Sequence, residues 1–412
     1  MESIIYVPVR SKAHTLIDCN SVMSDMATKS AEVAIVGGGA VGTSILFHLT
    51  KRHDVSDVVL LERDQIGSGS TSRAVGGVRY TFSHPLNVEM GLQNLDFYKN
   101  FEANVGQELV FRENGYMYVF HSPASEREWE EYAELYGEYD TRATLLTPEE
   151  TVEVFPALDA GSIRGSLWAP DCGHVDPYTV AQSMATASME RGATVETKAR
   201  VRDVVTRDGR VAAVETDEHR YEVNYVVNAA GAWAPAIGQM VGIDIPIEWL
   251  IRQIMVTDEI GYDRCPLVID RENQFYFEME ETGSLLVCDM GQDIHDVTDP
   301  EGAAADIGYN YYLQAFEKLE GLAPALGDLE VINDWAGLQS HTDDGHAILG
   351  PTSVDGFLLA CGLSGHGIMQ APSVGVAISD LIVKGETDVF DLNSLTLDRF
   401  DSDDRIEPEL MA

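Results

Sequence analysis

Two glycine-rich turns and one arginine set inside an apolar run are the features of this chain whose residue types and spacing could do chemistry. Gly37, Gly39 and Gly42 stand in GxGxxG spacing within Gly37-Gly38-Gly39-Ala40-Val41-Gly42, and Glu62 follows Gly42 by twenty residues. In a dinucleotide fingerprint the first glycine permits the tight turn. The second lets the backbone approach a pyrophosphate, and the third lets helix and strand pack closely. The acid can accept hydrogen bonds from ribose hydroxyls. A second glycine turn, Gly362-Leu363-Ser364-Gly365-His366-Gly367, lies some 320 residues on. Two anion-binding turns on one chain suit a long ligand with two electron-rich ends. A reduced flavin, negative around N1 and O2, is such a ligand, and a helix N-terminus would stabilise that charge. Arg252, inside Glu248 to Thr257, could hold a substrate carboxylate or pair with a local acid.

The elements that must position these residues are legible around them. Ala31 to Val36 reads as a buried strand, Thr43 to Thr50 as a helix, and Val58 to Leu61 as a second buried strand. Free N–H groups at the helix start would face the phosphates. Val223 to Ala230 reads as another strand, ending in the small residues Ala229, Ala230 and Gly231. Gly356 to Cys361 is a strand feeding the second glycine turn and then a helix through Ala371, Val374, Ala377, Ile378, Leu381 and Ile382. Asp176 can cap a helix with Pro177 at its first position, running to about Arg191. Glu248 to Thr257, Leu267 to Asp270, Gln274 to Met279 and Ser284 to Cys288 read as strands of a mixed or antiparallel sheet. Glu126 to Leu135 and Ala304 to Leu319 read as helices.

Composition bounds the rest. The 412 residues are 45% hydrophobic, enough for two domains with a sizeable core. No apolar run approaches the ~20 residues that span a bilayer. The formal charge is −41, from 68 acidic and 27 basic residues, of which seven are Lys. The acid is dispersed rather than blocked, as a halophilic cytoplasm would favour, and it disfavours nucleic acid and anionic lipid. Five Cys, at 19, 172, 265, 288 and 361, are never in CxxC spacing. A disulfide framework or zinc site is not expected, and a reducing cytoplasm is. Residues 1–30 lack the apolar core of a secretory signal. They read as a loose leader or as an artefact of start-codon choice before Met23 or Met26.

With these motifs in order, the chain resembles the FAD-dependent oxidoreductases of the D-amino-acid oxidase superfamily. The resembling branch holds sarcosine oxidase, glycine oxidase and dimethylglycine dehydrogenase. Further stretches carry the likeness: Gly67 to Arg79, Gly173 to Pro177, Asn228 to Trp233, Gly337 to Gly350, and Gly362 to Pro372. The stretch Ser364 to Pro372 is similar to a mitochondrial flavoprotein implicated in assembling respiratory complex I. The resemblance implies an α/β fold. A discontinuous Rossmann-like FAD domain would comprise 31–85, 160–240 and 335–390. An α+β substrate domain on a mixed or antiparallel sheet would comprise 86–159 and 241–334, and 391–412 would be a frayed acidic tail.

For the cofactor, the resemblance implies contacts from Gly37, Gly39, Ala40, Val41, Gly42, Glu62 and Arg63. It adds Ser70, Thr71, Ser72, Arg73, Gly76 and Gly77, with Val201 over the adenine. Ala229, Ala230, Gly231, Trp233, Gly337, Gly362, Leu363, Gly365, His366, Gly367 and Ile368 complete the set. Around the reacting atoms it implies Arg79, Arg252, Tyr276, Gln339, His341 and His366. Cys and His residues that link flavin covalently in relatives would fall at Gly337 and Arg73, so FAD is expected to be noncovalent. A Lys that promotes reaction with oxygen would fall near Leu286, which favours a dehydrogenase with another electron acceptor. Carboxylate-binding Lys and Arg residues would fall at Met369 and Gln339. The expected activity is oxidation of a small amine or N-methyl amino acid. The alternatives are an assembly scaffold with little turnover and a hydroxy-acid or polyol dehydrogenase.

Overall fold

Runs of β-branched and aliphatic residues without alternation make strands that are covered on both faces. Val33–Val36 and Val58–Leu61 are such runs, buried at every position. The computed structural model describes residues 27–303, 307–401 and 406–409. In it these strands pair in parallel, Val33 opposite Val58 and Val36 opposite Leu61. They are central in a six-stranded sheet ordered Ile348–Pro351, Phe357–Cys361, Tyr225–Asn228, Val33–Val36, Val58–Leu61, Thr194–Glu196. Only the Ile348–Pro351 pairing is antiparallel. One face, through Val33, Ile35, Val58 and Leu60, packs with the helix Ala40–Arg52. That helix lies between Pro177–Met189 and Gly367–Lys384. It is therefore buried from Ala40 to Thr50, as a helix covered all round must be. The other face, through Ala34, Val36, Val59 and Leu61, packs with Val201, Val204, Val214 and Tyr221 of a four-stranded sheet.

That second sheet is ordered Ala27–Ser30, His219–Glu222, Arg210–Thr216, Val201–Arg207. Its first strand corrects the loose-leader expectation at 27–30. Ala27–Ser30 pairs in parallel with His219–Glu222, covering an edge that would otherwise expose its N–H and C=O groups. All four residues are exposed, so no apolar pattern marked them. The rest of the expected leader, with Cys19, Met23 and Met26, lies outside the described residues.

The larger sheet has nine strands. Its order is Ile294–Val297, Glu248–Glu259, Ser284–Asp289, Phe275–Met279, Leu267–Asp270, Tyr116–Phe120, Gly165–Ala169, Thr144–Leu146, with Val331–His341 on the other side of Glu248–Glu259. The pairing of Leu267–Asp270 with Tyr116–Phe120 is parallel and its neighbours are antiparallel, so the sheet is mixed. One face is apolar against the helix Tyr309–Leu322, which buries Tyr311, Ala315, Leu319 and Leu322 at helical spacing. That helix begins later than the Ala304 read from sequence, after a Gly308 cap. The opposite face, through Ile254, Tyr276 and Leu267, looks toward the glycine turns.

The chain crosses between sheets at other points than expected. Gly165–Ala169 and the later part of Val331–His341, from Trp335 on, extend the nine-stranded sheet into segments assigned to the cofactor domain. The helix Pro85–Lys99, assigned to the substrate domain, packs on Gly367–Lys384, and Asn94 bonds Ser373 at 3.0 and 2.8 Å.

The acidic tail is not frayed where it is described. Arg399, buried, bonds Asp344 at 2.8 and 3.0 Å. The Glu409 carboxylate accepts from Ser83 N–H at 2.8 Å, Ser83 Oγ at 2.7 Å and Asn87 Nδ2 at 2.8 Å. An acceptor for Arg399 and donors for Glu409, all elsewhere in the chain, take up these charges, which composition could not foretell. The four described cysteines, Cys172, Cys265, Cys288 and Cys361, are free and buried. No helix among the described residues is long and apolar enough to cross a membrane.

Candidate functional site

The six-stranded sheet and the cavity-facing side of the nine-stranded sheet enclose one cavity of about 860 Å³. That is toward the upper end of the ~300–1,000 Å³ usual for small-molecule and cofactor sites. At one end lies the first glycine turn. Gly37 has φ +111°, and a Cβ there would collide with the Ala229 carbonyl at the end of the neighbouring strand. A Cβ on Gly42 would collide with the Gly37 carbonyl oxygen. Both glycines are thus demanded by the protein's own packing. Gly39 differs. A Cβ there would meet only Thr71 Oγ1, at 3.1 Å, and the residue lines the cavity. The backbone is kept bare on the cavity side, as a cradle for a bound pyrophosphate requires.

Glu62 is fixed by two backbone donors, Gly38 N–H and Asp64 N–H, each at 2.7 Å to a different carboxylate oxygen. The second lone pair of each oxygen can serve ribose hydroxyls. Ala40 N–H donates to Thr71 Oγ1 at 3.1 Å, tying the helix start to the loop Gly67 to Arg79. Arg63 stacks over Trp233, 3.7 Å from the ring centroid. Arg63 and Arg200 both pair with Glu301, at 2.6 and 2.7 Å.

In the middle of the cavity, Ser70 Oγ donates to Leu338 C=O at 2.6 Å, and Trp335 Nε1 donates to Arg73 C=O at 3.0 Å. These bonds bind the loop to the strand Val331–His341. They set Gly337 beside Arg73, where a Cβ would approach the Arg73 Cβ to 3.1 Å. The second glycine turn puts Gly362, Ser364 and Gly365 at positive φ. It aims the N-terminus of the 18-residue helix Gly367–Lys384 at the cavity, with Gly367, Ile368 and Met369 in its wall.

The far end gathers the charged and polar groups. Arg79 is buried and donates to Thr81 C=O, to Tyr118 Oη at 3.1 Å and to His366 Nε2 at 3.3 Å. Arginine only donates, so His366 Nε2 is the acceptor. His366 packs edge-on against Phe82. Arg252 lies opposite Gly337 in the ladder and pairs with Asp293, Nη2 to Oδ2 at 2.7 Å and Nε to Oδ2 at 3.1 Å. Of its two sequence readings, pairing with a local acid is present, while its side chain also lines the cavity. Tyr276, also in the wall, keeps its hydroxyl proton well above the usual phenol range because burial penalises the phenolate.

The structure brings together all but four of the expected residues. Gly42 and Gly362 serve packing and turn geometry. Ser72 points away, its hydroxyl 3.4 Å from Gly69 C=O on the exposed side of the loop. His341 stands behind the wall and bonds Gln339 Oε1 at 2.9 Å. Burial, with Arg252 and His295 nearby, lowers its pKa to about 4. It is therefore a neutral donor that orients the Gln339 amide. Residues not anticipated from sequence include Tyr116, Ile254, Leu267, Ile269, Met290, and the segment Thr298 to Ala303 that carries Glu301. They come from separate strands and a loop with no motif of their own. Alternation in the strands was the one usable signal.

Comparison with known proteins agrees with this architecture. The chain is 30% identical to human mitochondrial dimethylglycine dehydrogenase over 388 residues, covering 90% of this chain and 44% of that protein. It thus spans less than half the length of that relative. It is 27% identical to FAD-dependent oxidoreductase domain-containing protein 1 of Xenopus laevis over 422 residues, covering 91% of this chain and 84% of that one. The crystal structure of L-proline dehydrogenase from P. horikoshii superposes with a TM-score of 0.85 at 28% identity, covering 91% of this chain and 98% of that one. The family model described as FAD dependent oxidoreductase matches residues 32–381, and the chain belongs to that family.

Proposed function

We propose that this chain oxidises a small secondary or N-methylated amine or amino acid, the imine product then being hydrolysed. Two relatives that match most of the chain, named for dimethylglycine and L-proline, carry this reading, since both compounds are N-alkylated amino acids. FAD supplies the hydride acceptor for the carbon beside nitrogen. The protein's own task is to hold a neutral amine in a dry, shaped pocket. Tyr276, Ile254, Leu267, Ile269, Met290 and Met369 form its apolar wall. Arg252, with Nε and Nη2 engaged by Asp293, keeps Nη1 for a substrate carboxylate. Gln339, oriented by His341, offers its amide.

The reading extends to a dehydrogenase holding FAD noncovalently. Leu286 stands in the core cluster that also holds Tyr276 and Leu267, with no cation at that position. Arg73 and Gly337 offer no nucleophile for a covalent bond. Acid precipitation should therefore leave a colourless pellet and a yellow supernatant. The functional test is a panel of sarcosine, dimethylglycine, proline and 2-hydroxy acids mixed anaerobically with the FAD-loaded protein. Bleaching by the N-alkylated amino acids is expected. Bleaching by hydroxy acids alone would overturn the reading.

A further inference from the structure

Tyr276 is not the only polar residue on the cavity-facing side of its strand. Glu278, two positions on, points to the same side. It is 2% exposed, and its Oε2 has no hydrogen-bond partner. A buried carboxyl oxygen left in this way calls for an explanation. Its neighbours supply one. His174 Nδ1 lies 4.0 Å from that oxygen, within reach of a small rotation of the carboxyl, and the His174 side chain is 13% exposed. His174 is paired in a short ladder with Gly77. The space a side chain on Gly77 would need is filled by the Tyr116 hydroxyl. Tyr116 and Gly77 both line the cavity.

We propose that Tyr116, Glu278 and His174 form a proton route between the reaction cavity and solvent. Its direction rests on the amine-oxidation reading, because an amine enters from water carrying an extra proton that must leave before the carbon can give up hydride. In each transfer, the substrate N–H bond breaks and the Tyr116 hydroxyl takes that proton as it hands its own to Glu278. Glu278 receives at one carboxyl oxygen and releases from the other to His174 Nδ1. His174 gives its Nε2 proton to water. One proton enters, one leaves, no electrons move, and every group recovers its charge.

His174 lies 4.0 Å from Glu278, and Tyr116, Tyr276, Cys265 and Glu280 are near enough to couple to it electrostatically. Burial, with Glu280 nearby, holds the Glu278 carboxyl well above the usual carboxylate range. Burial, with Arg112 nearby, lowers His174 to about 4. His174 is therefore neutral near pH 7, and burial disfavours the charged form of Glu278, which keeps buried charge off the route.

The test uses FAD-loaded Glu278→Gln and His174→Ala. With an amine that bleaches the wild type, each variant should bleach about a hundredfold more slowly or worse at neutral pH, the lower reach of general acid–base effects. The pH profile should flatten in both, and added imidazole should restore His174→Ala. A second readout needs no substrate. Dithionite-reduced protein is mixed with ferricenium, which takes electrons without protons, and a pH dye follows proton release. Dye and flavin signals should coincide in the wild type, and the dye should lag in both variants. If no amine bleaches the wild type but the dye lags, the substrate reading falls and the route stands. Wild-type dye timing in both variants overturns the route. If Glu278→Gln does not fold, His174→Ala decides, and an unslowed dye or a lag that imidazole does not repair overturns it.

Discussion

Among the fingerprint glycines, Gly39 gives the cleanest experiment. Valine at Gly37 or Gly42 would force side-chain atoms into backbone oxygens and damage the fold. Gly39 has φ −77°, a value any residue adopts, and its only close neighbour would be Thr71 Oγ1. Gly39→Val is expected to fold with a melting temperature near that of the wild-type apoprotein. It should lose FAD affinity by about 100-fold or more, about 2.7 kcal/mol. Spectral titration of apoprotein with FAD checks this, and undiminished affinity would mean that no pyrophosphate rests on Gly39. Met369 serves for the acceptor. Oxygen must gain an electron, and a fixed cation stabilises the superoxide that forms. Reduced protein should reoxidise slowly in air-saturated buffer and fast with a phenazine. Met369→Lys, which places a cation in the cavity wall, should raise the oxygen rate by about 10²-fold, the size of one well-placed electrostatic contact. An oxygen rate in the wild type equal to the phenazine rate would make the protein an oxidase.

Among the elements, the end of the Tyr116–Phe120 strand carries a pH-dependent clasp. His121 Nε2 lies 2.8 Å from Asp270 Oδ2, and Nδ1 lies 2.7 Å from Ser162 C=O. Both ring nitrogens face acceptors, so the doubly protonated ring is favoured. The Asp270 hydrogen bond is the main cause and raises the pKa to about 9. A pKa raised in the folded state means stabilisation that is complete below the unfolded value, ~6.5. It is lost as pH rises through about 9. The difference in melting temperature between wild type and His121→Ala should be largest below pH ~6.5 and should shrink steadily above it. A difference that grows with pH would show that the ring is neutral in the native state. The clasp joins the two parallel strands of the mixed sheet, whose neighbours Leu267 and Tyr116 line the cavity.

For the whole molecule, the −41 formal charge sets the response to salt. Two effects oppose each other. Salt screens the repulsion among dispersed acids, which stabilises the fold, and it weakens exposed ion pairs such as Arg202 with Asp217 or Arg210 with Asp355. Exposed pairs contribute about 0–1 kcal/mol each, and basic residues are outnumbered 68 to 27, so repulsion dominates. Melting temperature should climb steeply between ~0.1 M and molar KCl, as the Debye length falls from about 10 Å to 3 Å. A flat curve would show that the charges are too far apart to couple, and the expectation of a halophilic cytoplasm would go with it.

What the sequence by itself determined is the part of the protein governed by local rules. Gly37, Gly39 and Gly42 sit in a turn whose geometry depends on a few neighbouring residues. The strands Val33–Val36 and Val58–Leu61 were legible because an uninterrupted apolar run can be stable only where both faces are covered. Only the tertiary structure decided the rest. Whether Arg252 was free or paired depended on Asp293, on another strand connection. Whether His341 met the cavity or stood behind Gln339 was a matter of side-chain direction in one long strand. Ala27–Ser30 became a strand only because an open edge lay beside it, and Glu409 was buried only because Ser83 and Asn87 had donors to satisfy. Glu278 and His174 come within 4.0 Å of each other from strands far apart in the chain. Such meetings are fixed by the packing of one sheet on another, and no window of sequence contains them.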